Sequence, residues 1–148
     1  MLQLNLPRYE FSVLQSSPPK IFDVFRKKYV ALTPEEWVRQ NFLMYLVEEK
    51  KYPASLIFLE QILKIYKTHK RCDAVVYDKK GTPQCIIEFK APDVNISQQV
   101  FDQIARYNIA LGVNYLIVSN GLKHFCCKMN LKTQTCHFLE DIPDYSAL

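Results

Sequence analysis

Glycine is scarce in this chain, three residues in 148, and no apolar run approaches the ~18 residues needed to cross a bilayer. With 49% hydrophobic and 13% aromatic residues, it is expected to form one compact, ordered domain with a real core. Met1–Pro7 has neither a basic start nor an apolar stretch, so no signal peptide is expected. There is no disulfide framework either. The five cysteines (72, 85, 126, 127 and 136) are odd in number and irregular in spacing, which points to reduced thiols in a cytoplasm. Nor is there a long Lys/Arg tract. A net charge of +4 is compatible with a polyanionic partner without requiring one.

Local signals lay out the order of elements. Tyr9–Gln15 and Ile21–Val30 flank the turn cluster Ser16-Ser17-Pro18-Pro19 and read as a hairpin, the second arm ending in the solvated basic residues Arg26-Lys27-Lys28. Thr33-Pro34-Glu35-Glu36 starts a helix running to about residue 51, with Thr33 as N-cap and Glu36 completing a capping box. Ile57–Ile65 reads as a strand, with helix as the alternative, followed by a basic turn at Lys67–Lys70. Strands are expected at about 72–78 and 84–90, then a helix capped by Asn95 or Ser97 and ended by Gly112. A buried strand at Tyr115–Ser119 and a hairpin of Phe125–Asn130 and Thr135–Leu139 precede a loose acidic tail. The resulting division is an N-terminal extension (1–31), a core (32–120) and a C-terminal hairpin and tail (121–148) within a single domain.

The most informative segment runs from Arg71 to Pro92, where Asp73, Glu88 and Lys90 interrupt two apolar strands around a Gly-containing turn. Pairing Asp78 with Pro83 sets Asp73 directly opposite Glu88, while alternation puts Glu88 and Lys90 on one face. Like charges directly opposite destabilise a sheet, and burial makes them costlier still. A hard cation between the carboxylates reverses that sign, and the backbone carbonyl of Phe89 is a further ligand within reach. Glu-x-Lys alone is common on solvated strand faces; its place in an apolar, central strand is what raises it. On the following helix Gln103 and Tyr107 project from one face, with Gln99 one turn back. Capping and dipole complementarity alone explain Glu35 and Glu36, and that reading weighs equally with one in which a single glutamate of the two leans over the sheet to reach a metal; Arg39 is spaced to pair with Glu35. Lys64, Lys67, Lys70 and Arg71 cluster near one sheet end as candidate contacts to a phosphate backbone, with Arg39, Gln99 and Arg106 as further ones on the helices. His124, Cys126, Cys127, Cys136 and His137 lack a Cys-x-x-Cys pair, and neighbours 126 and 127 point to opposite faces, so buried thiols are expected rather than zinc.

Asp73, fourteen intervening residues, Glu88-x-Lys90 and then Gln103-xxx-Tyr107 resembles the PD-(D/E)xK nuclease superfamily. The longer strings Thr33–Gln40, Arg71–Asp78, Ile87–Pro92 and Phe101–Asn108 are similar to the N-terminal nuclease domain of type I restriction enzyme R subunits, in stand-alone bacterial form. The similarity extends from about Leu4 to Tyr145. Cys72 stands where the superfamily's name has proline. The resemblance implies a restriction-endonuclease-like αβββαβ core of the α/β (α+β) class, a mixed central sheet flanked by helices, in agreement with the element order above. It implies Mg²⁺ or Mn²⁺ held by Asp73 and Glu88, with Lys90 orienting water and stabilising charge on phosphorus. One of Glu35 and Glu36 would complete the metal environment, and Gln103 and Tyr107 would position DNA or the lysine. DNA is the implied partner, with other restriction subunits or a homodimer as further expectations. No helicase motor lies within these residues, so ATP-driven translocation is not expected of this chain.

Overall fold

The N-terminal stretch folds back twice rather than once. Strands β1 (Val13–Leu14), β2 (Lys20–Asp23) and β3 (Lys28–Ala31) form a three-stranded antiparallel sheet, so the expected second arm is itself a hairpin. The cause is local. The Asp23 carboxylate accepts hydrogen bonds from Phe25 N at 2.8 Å and Arg26 N at 3.1 Å, and Lys27 takes φ +55° to complete the reversal.

The computed structural model describes residues 1–148 apart from the side chains of Ile65 and Thr68. Helix α1 spans Pro34–Glu48 and starts where its sequence predicts, the Thr33 hydroxyl accepting from Glu36 N at 3.0 Å. Only half of the capping box forms. Thr33 N donates to Ala31 O at 3.1 Å, while the Glu36 carboxylate turns inwards. The helix stops before residue 51 because Tyr52 N returns to Leu46 O at 3.0 Å and Lys51 adopts φ +62°.

Six strands follow in one mixed sheet, in chain order: β4 (Ile57–Ile65), β5 (Thr68–Tyr77), β6 (Pro83–Phe89), β7 (Tyr115–Ser119), β8 (His124–Asn130) and β9 (Thr135–Leu139). β6 and β7 run parallel, bridged by α2 (Gln98–Ile109), whose N-cap is Ser97; the remaining neighbours are antiparallel. The expected fold class holds. The basic turn is shorter than expected, Tyr66-Lys67, which moves His69–Arg71 into β5. The β5–β6 register also carries one extra residue, Gln84, between the pairs Val76↔Cys85 and Tyr77↔Pro83.

The helices cover opposite faces of the sheet. Val38, Phe42, Leu43 and Leu46 of α1 pack on Ala74, Val76, Ile87 and Phe89; Phe101 and Ala105 of α2 pack on Val75, Ile86, Leu116 and Val118. All five residues of β7 are buried, as a parallel strand between two helical layers demands. The tail is docked rather than loose. Tyr145 Oη donates to Tyr77 O at 3.0 Å, Tyr52 Oη to Pro143 O at 2.9 Å, and Ile142 is buried.

A charged cluster ties the small sheet, α1 and β4 together. Both Glu36 oxygens are occupied: Oε1 accepts from Arg39 Nη2 at 2.8 Å and Arg26 Nη2 at 2.9 Å, and Oε2 from Arg39 Nε at 3.0 Å and Gln40 Nε2 at 2.9 Å. Arg26 also pairs with the fully buried Asp23, and Arg39 Nη1 donates to Glu60 Oε1 at 3.0 Å. Those partners hold the Glu36 carboxyl below its ordinary value in spite of burial. Glu36→Ala would leave two guanidinium groups without their shared acceptor and should cost about 3 kcal/mol in urea unfolding, whereas exposed Glu35→Ala should change stability by less than about 0.5 kcal/mol. Equal effects would refute this assignment of roles.

Candidate active site

The site forms where two strands part. β5 pairs with β6 as far as Ala74↔Ile87 and then continues to Thr68 against β4 alone, while β6 runs on against β7 to Phe89↔Ser119. One further step of the β5–β6 register sets Asp73 opposite Glu88, the placement expected from the sequence. The alternation assumed for Asp73 does not hold beyond this point. Ala74 faces the α1 layer, as Leu59 across from it does, yet Cys72 and Leu63 face the α2 layer, so both strands roll over at Asp73 and Glu60. Glu60 takes φ +57° to make that turn. Freed from the ladder, Asp73 Oδ2 accepts from Phe89 N at 2.7 Å.

This places two carboxyls together. Burial, then the field of Asp73, pushes Glu88 up to about 7, and a hydrogen bond to the Asp73 carboxyl adds to the shift against the opposing pull of Lys70. Glu88 and Lys90 line one pocket of about 350 Å³ with Gln103, Ile104 and Tyr107 of α2, which brings residues far apart in sequence to one space. Lys90 is half-buried and sits just past the end of β6, where its backbone N donates to Ser119 O at 2.9 Å. Gln99 is exposed and lies outside that lining, where Val100 stands instead.

The two glutamates of α1 separate. Glu36 is buried in the arginine cluster. Glu35 lies within the field of Asp73 and Lys90; partial burial first, then Asp73, raises its carboxyl, with Arg39 and Lys90 opposing. The expected Glu35–Arg39 pair does not form, since Arg39 is bound to Glu36 and Glu60.

Several proposed phosphate contacts are placed differently. Arg39 is 8% exposed and fully engaged. Arg106 lies on another flank of α2, in a cleft with Asp102 and Cys136. Lys70 points into the pocket, paired with Glu88. Lys64 and Lys67 are exposed, as is Arg71, whose Nε donates to Glu60 Oε2 at 2.7 Å. Asn108, whose Oδ1 lies 3.3 Å from Lys70 Nζ, is the site residue that the motif reading missed, and Lys70, expected as a phosphate-backbone contact, is instead paired with Glu88. The signal for both was positional, Lys70 standing three residues before Asp73 and Asn108 one after Tyr107. In the closing hairpin the His124 ring is held by Ser119 Oγ at 2.7 Å and Asn5 O at 2.9 Å, and burial pushes the Cys126 thiol up to about 12.

The donor set fits a hard divalent cation. Two carboxyls meet, and the repulsion from Asp73 that helps raise Glu88 is what a cation held between them would relieve. Among the described residues no trio of His, Cys, Asp or Glu side chains gathers as a metal site, so the remaining ligands would come from backbone, water or substrate.

Glu88 keeps its proton to higher pH when folded than when unfolded, its ordinary value being 4.5. The folded state therefore binds more protons from about pH 4.5 to about 7, and the stability this proton contributes is lost as pH rises through that window. Melting temperatures across that range should fall for wild type relative to Glu88→Gln, which cannot ionise. Parallel profiles would contradict the shift.

No curated protein matches the chain. Among solved structures, a fragment assigned to an HsdR subunit of a type I restriction enzyme from Vibrio vulnificus YJ016 has a TM-score of 0.52 at 18% identity, over 76% of this chain and 24% of that one. The likeness is one of fold, and this chain spans about a quarter of that relative's length. No helix among the described residues is long and apolar enough to cross a membrane. Residues 34–143, which hold both helices, the six-stranded sheet and every residue of the pocket, match the family model of the type I restriction enzyme R protein N terminus, and the chain belongs to that family.

Proposed function

We propose that this chain is a restriction-type deoxyribonuclease domain that hydrolyses phosphodiester bonds with Mg²⁺ or Mn²⁺. The observation that carries the reading is the meeting of Asp73 and Glu88 at the fork, beside a pocket that also presents Lys90, Gln103 and Tyr107. A binding module has no need of two half-buried carboxyls facing a polyanion, whereas a hydrolase does. Asp73, Glu88 and the Phe89 carbonyl would hold the cation. Bound there, it supplies a Lewis acid and lowers the pKa of a coordinated water.

The protein's own groups do the rest. Lys90 offsets negative charge accumulating on phosphorus and orients the attacking water. Gln103 and Tyr107, one helical turn apart, position the phosphate backbone against the lysine. Glu35, within the field of Asp73, would be the α1 glutamate that accepts a hydrogen bond from water at the centre. Lys64, Lys67 and Arg71 add sequence-independent, salt-sensitive attraction for DNA. The partners on this reading are DNA and the other subunits of a restriction system, in a reducing cytoplasm that suits five free thiols.

Purified chain incubated with plasmid or linear DNA should degrade it only when Mg²⁺ or Mn²⁺ is present. Lys90→Ala should be slower by about 10²-fold or more, the scale of losing one charge-stabilising group. Equal rates for wild type and Lys90→Ala would overturn the hydrolase reading. DNA retention without any cleavage would instead favour a non-catalytic module.

A further inference from the structure

Lys70 reaches the pocket from the far side of the fork, on the part of β5 that pairs with β4 alone. Its Nζ is ion-paired with Glu88 Oε1, lies 3.3 Å from Asn108 Oδ1 and stands 6.0 Å from the centroid of the Tyr107 ring. Asn108 is fully buried, and its Nδ2 donates to Ile104 O at 2.8 Å, which fixes the amide with its oxygen towards the ammonium. This is a built cradle rather than a surface contact. Lys90, by contrast, pairs with no carboxylate among the described residues, so the pocket presents one engaged and one unengaged ammonium.

Resting on the divalent-cation reading above, we propose that Lys70 is a second lysine of the active centre. It holds Glu88 while no cation is bound, yields the carboxylate when a cation arrives, and then positions the substrate phosphate across the same pocket. Charge and donor chemistry lead there. One ammonium balances one of two adjoining carboxylates; a divalent cation balances both and, at equal distance, attracts Glu88 twice as strongly. Lys70 is then left with a full positive charge, three donors and no acceptor role, on a flexible four-carbon stem. The acceptors a substrate brings into this space are the non-bridging oxygens of a phosphodiester, which carry the matching single negative charge. A merely structural ion pair would leave cleavage at saturating cation untouched when lost.

Calorimetric titration of the full chain with Mn²⁺, alongside circular dichroism to verify folding, separates these alternatives. Lys70→Met removes the competitor and keeps the apolar stem, so it should bind Mn²⁺ about five-fold more tightly or better; Lys70→Arg grips Glu88 bidentately and should bind it more weakly than wild type. At saturating Mn²⁺, Lys70→Met should nevertheless cleave DNA at least about ten-fold more slowly, through loss of phosphate positioning. Unchanged or weaker Mn²⁺ binding by Lys70→Met overturns the proposal, as does full cleavage activity. Should Lys70→Met not fold, Lys70→Arg binding Mn²⁺ as well as wild type overturns it. Asp73→Asn tells the two levels apart. If it binds Mn²⁺ like wild type, the cation site itself is misplaced; if it loses Mn²⁺ while the Lys70 variants match wild type, only the role of Lys70 fails.

Discussion

Where β5 leaves β6, the two backbones stop satisfying each other, and the amide of Phe89 faces a strand that is no longer there. The Asp73 carboxylate takes the place of the missing carbonyl at 2.7 Å. That substitution has two effects at once. It ends the ladder without an orphaned donor, and it fixes an acidic group beside the half-buried Glu88. Parallel pairing of β6 with β7 then carries Glu88 and Lys90 to the edge of the α2 layer, and the helix in the crossover delivers Gln103 and Tyr107 to them. The proposed chemistry therefore depends on a place where regular structure gives out, which is common at functional sites.

Much of this was legible in the sequence because the signals were local and of the right period. The Thr33–Pro34 start, the all-apolar Tyr115–Ser119 and the charges interrupting β5 and β6 each declare their element directly. The register that set Asp73 against Glu88 came out right although the turn did not. The extra residue Gln84 lies between the turn and the aligned pairs, and Asp78 N still closes on Thr82 O at 2.9 Å. Errors arose where side chains override pattern. Asp23 folds a turn into an apolar stretch, and Glu60 and Asp73 reverse the alternation. Tyr145 pins a tail whose acidic composition suggested solvent.

The pair Glu35–Glu36 shows why composition alone could not assign the site. Adjacent and identical, both suit the first turn of a helix for the same electrostatic reason. Their fates differ through the 100° between successive helical positions. One side chain turns into the arginine cluster, and the other is left towards the fork. The information that separates them lies in Arg26 and Glu60, residues from other elements, and so is absent from any local window. The same holds for Lys70, whose role depends on Asn108 and Glu88.

The left-handed turn at Glu60 has a bearing on solubility. β4 is the outermost strand on its side of the sheet, and an unpaired flank with exposed Phe58 and Ile62 is the kind of surface on which a foreign chain could add itself. By rolling the strand over midway, Glu60 breaks the straight row of amides and carbonyls that such an addition would copy. The exposed Lys64 sets a charge along the remainder. The kink that opens the fork for Asp73 thereby also guards the sheet against unintended strand exchange.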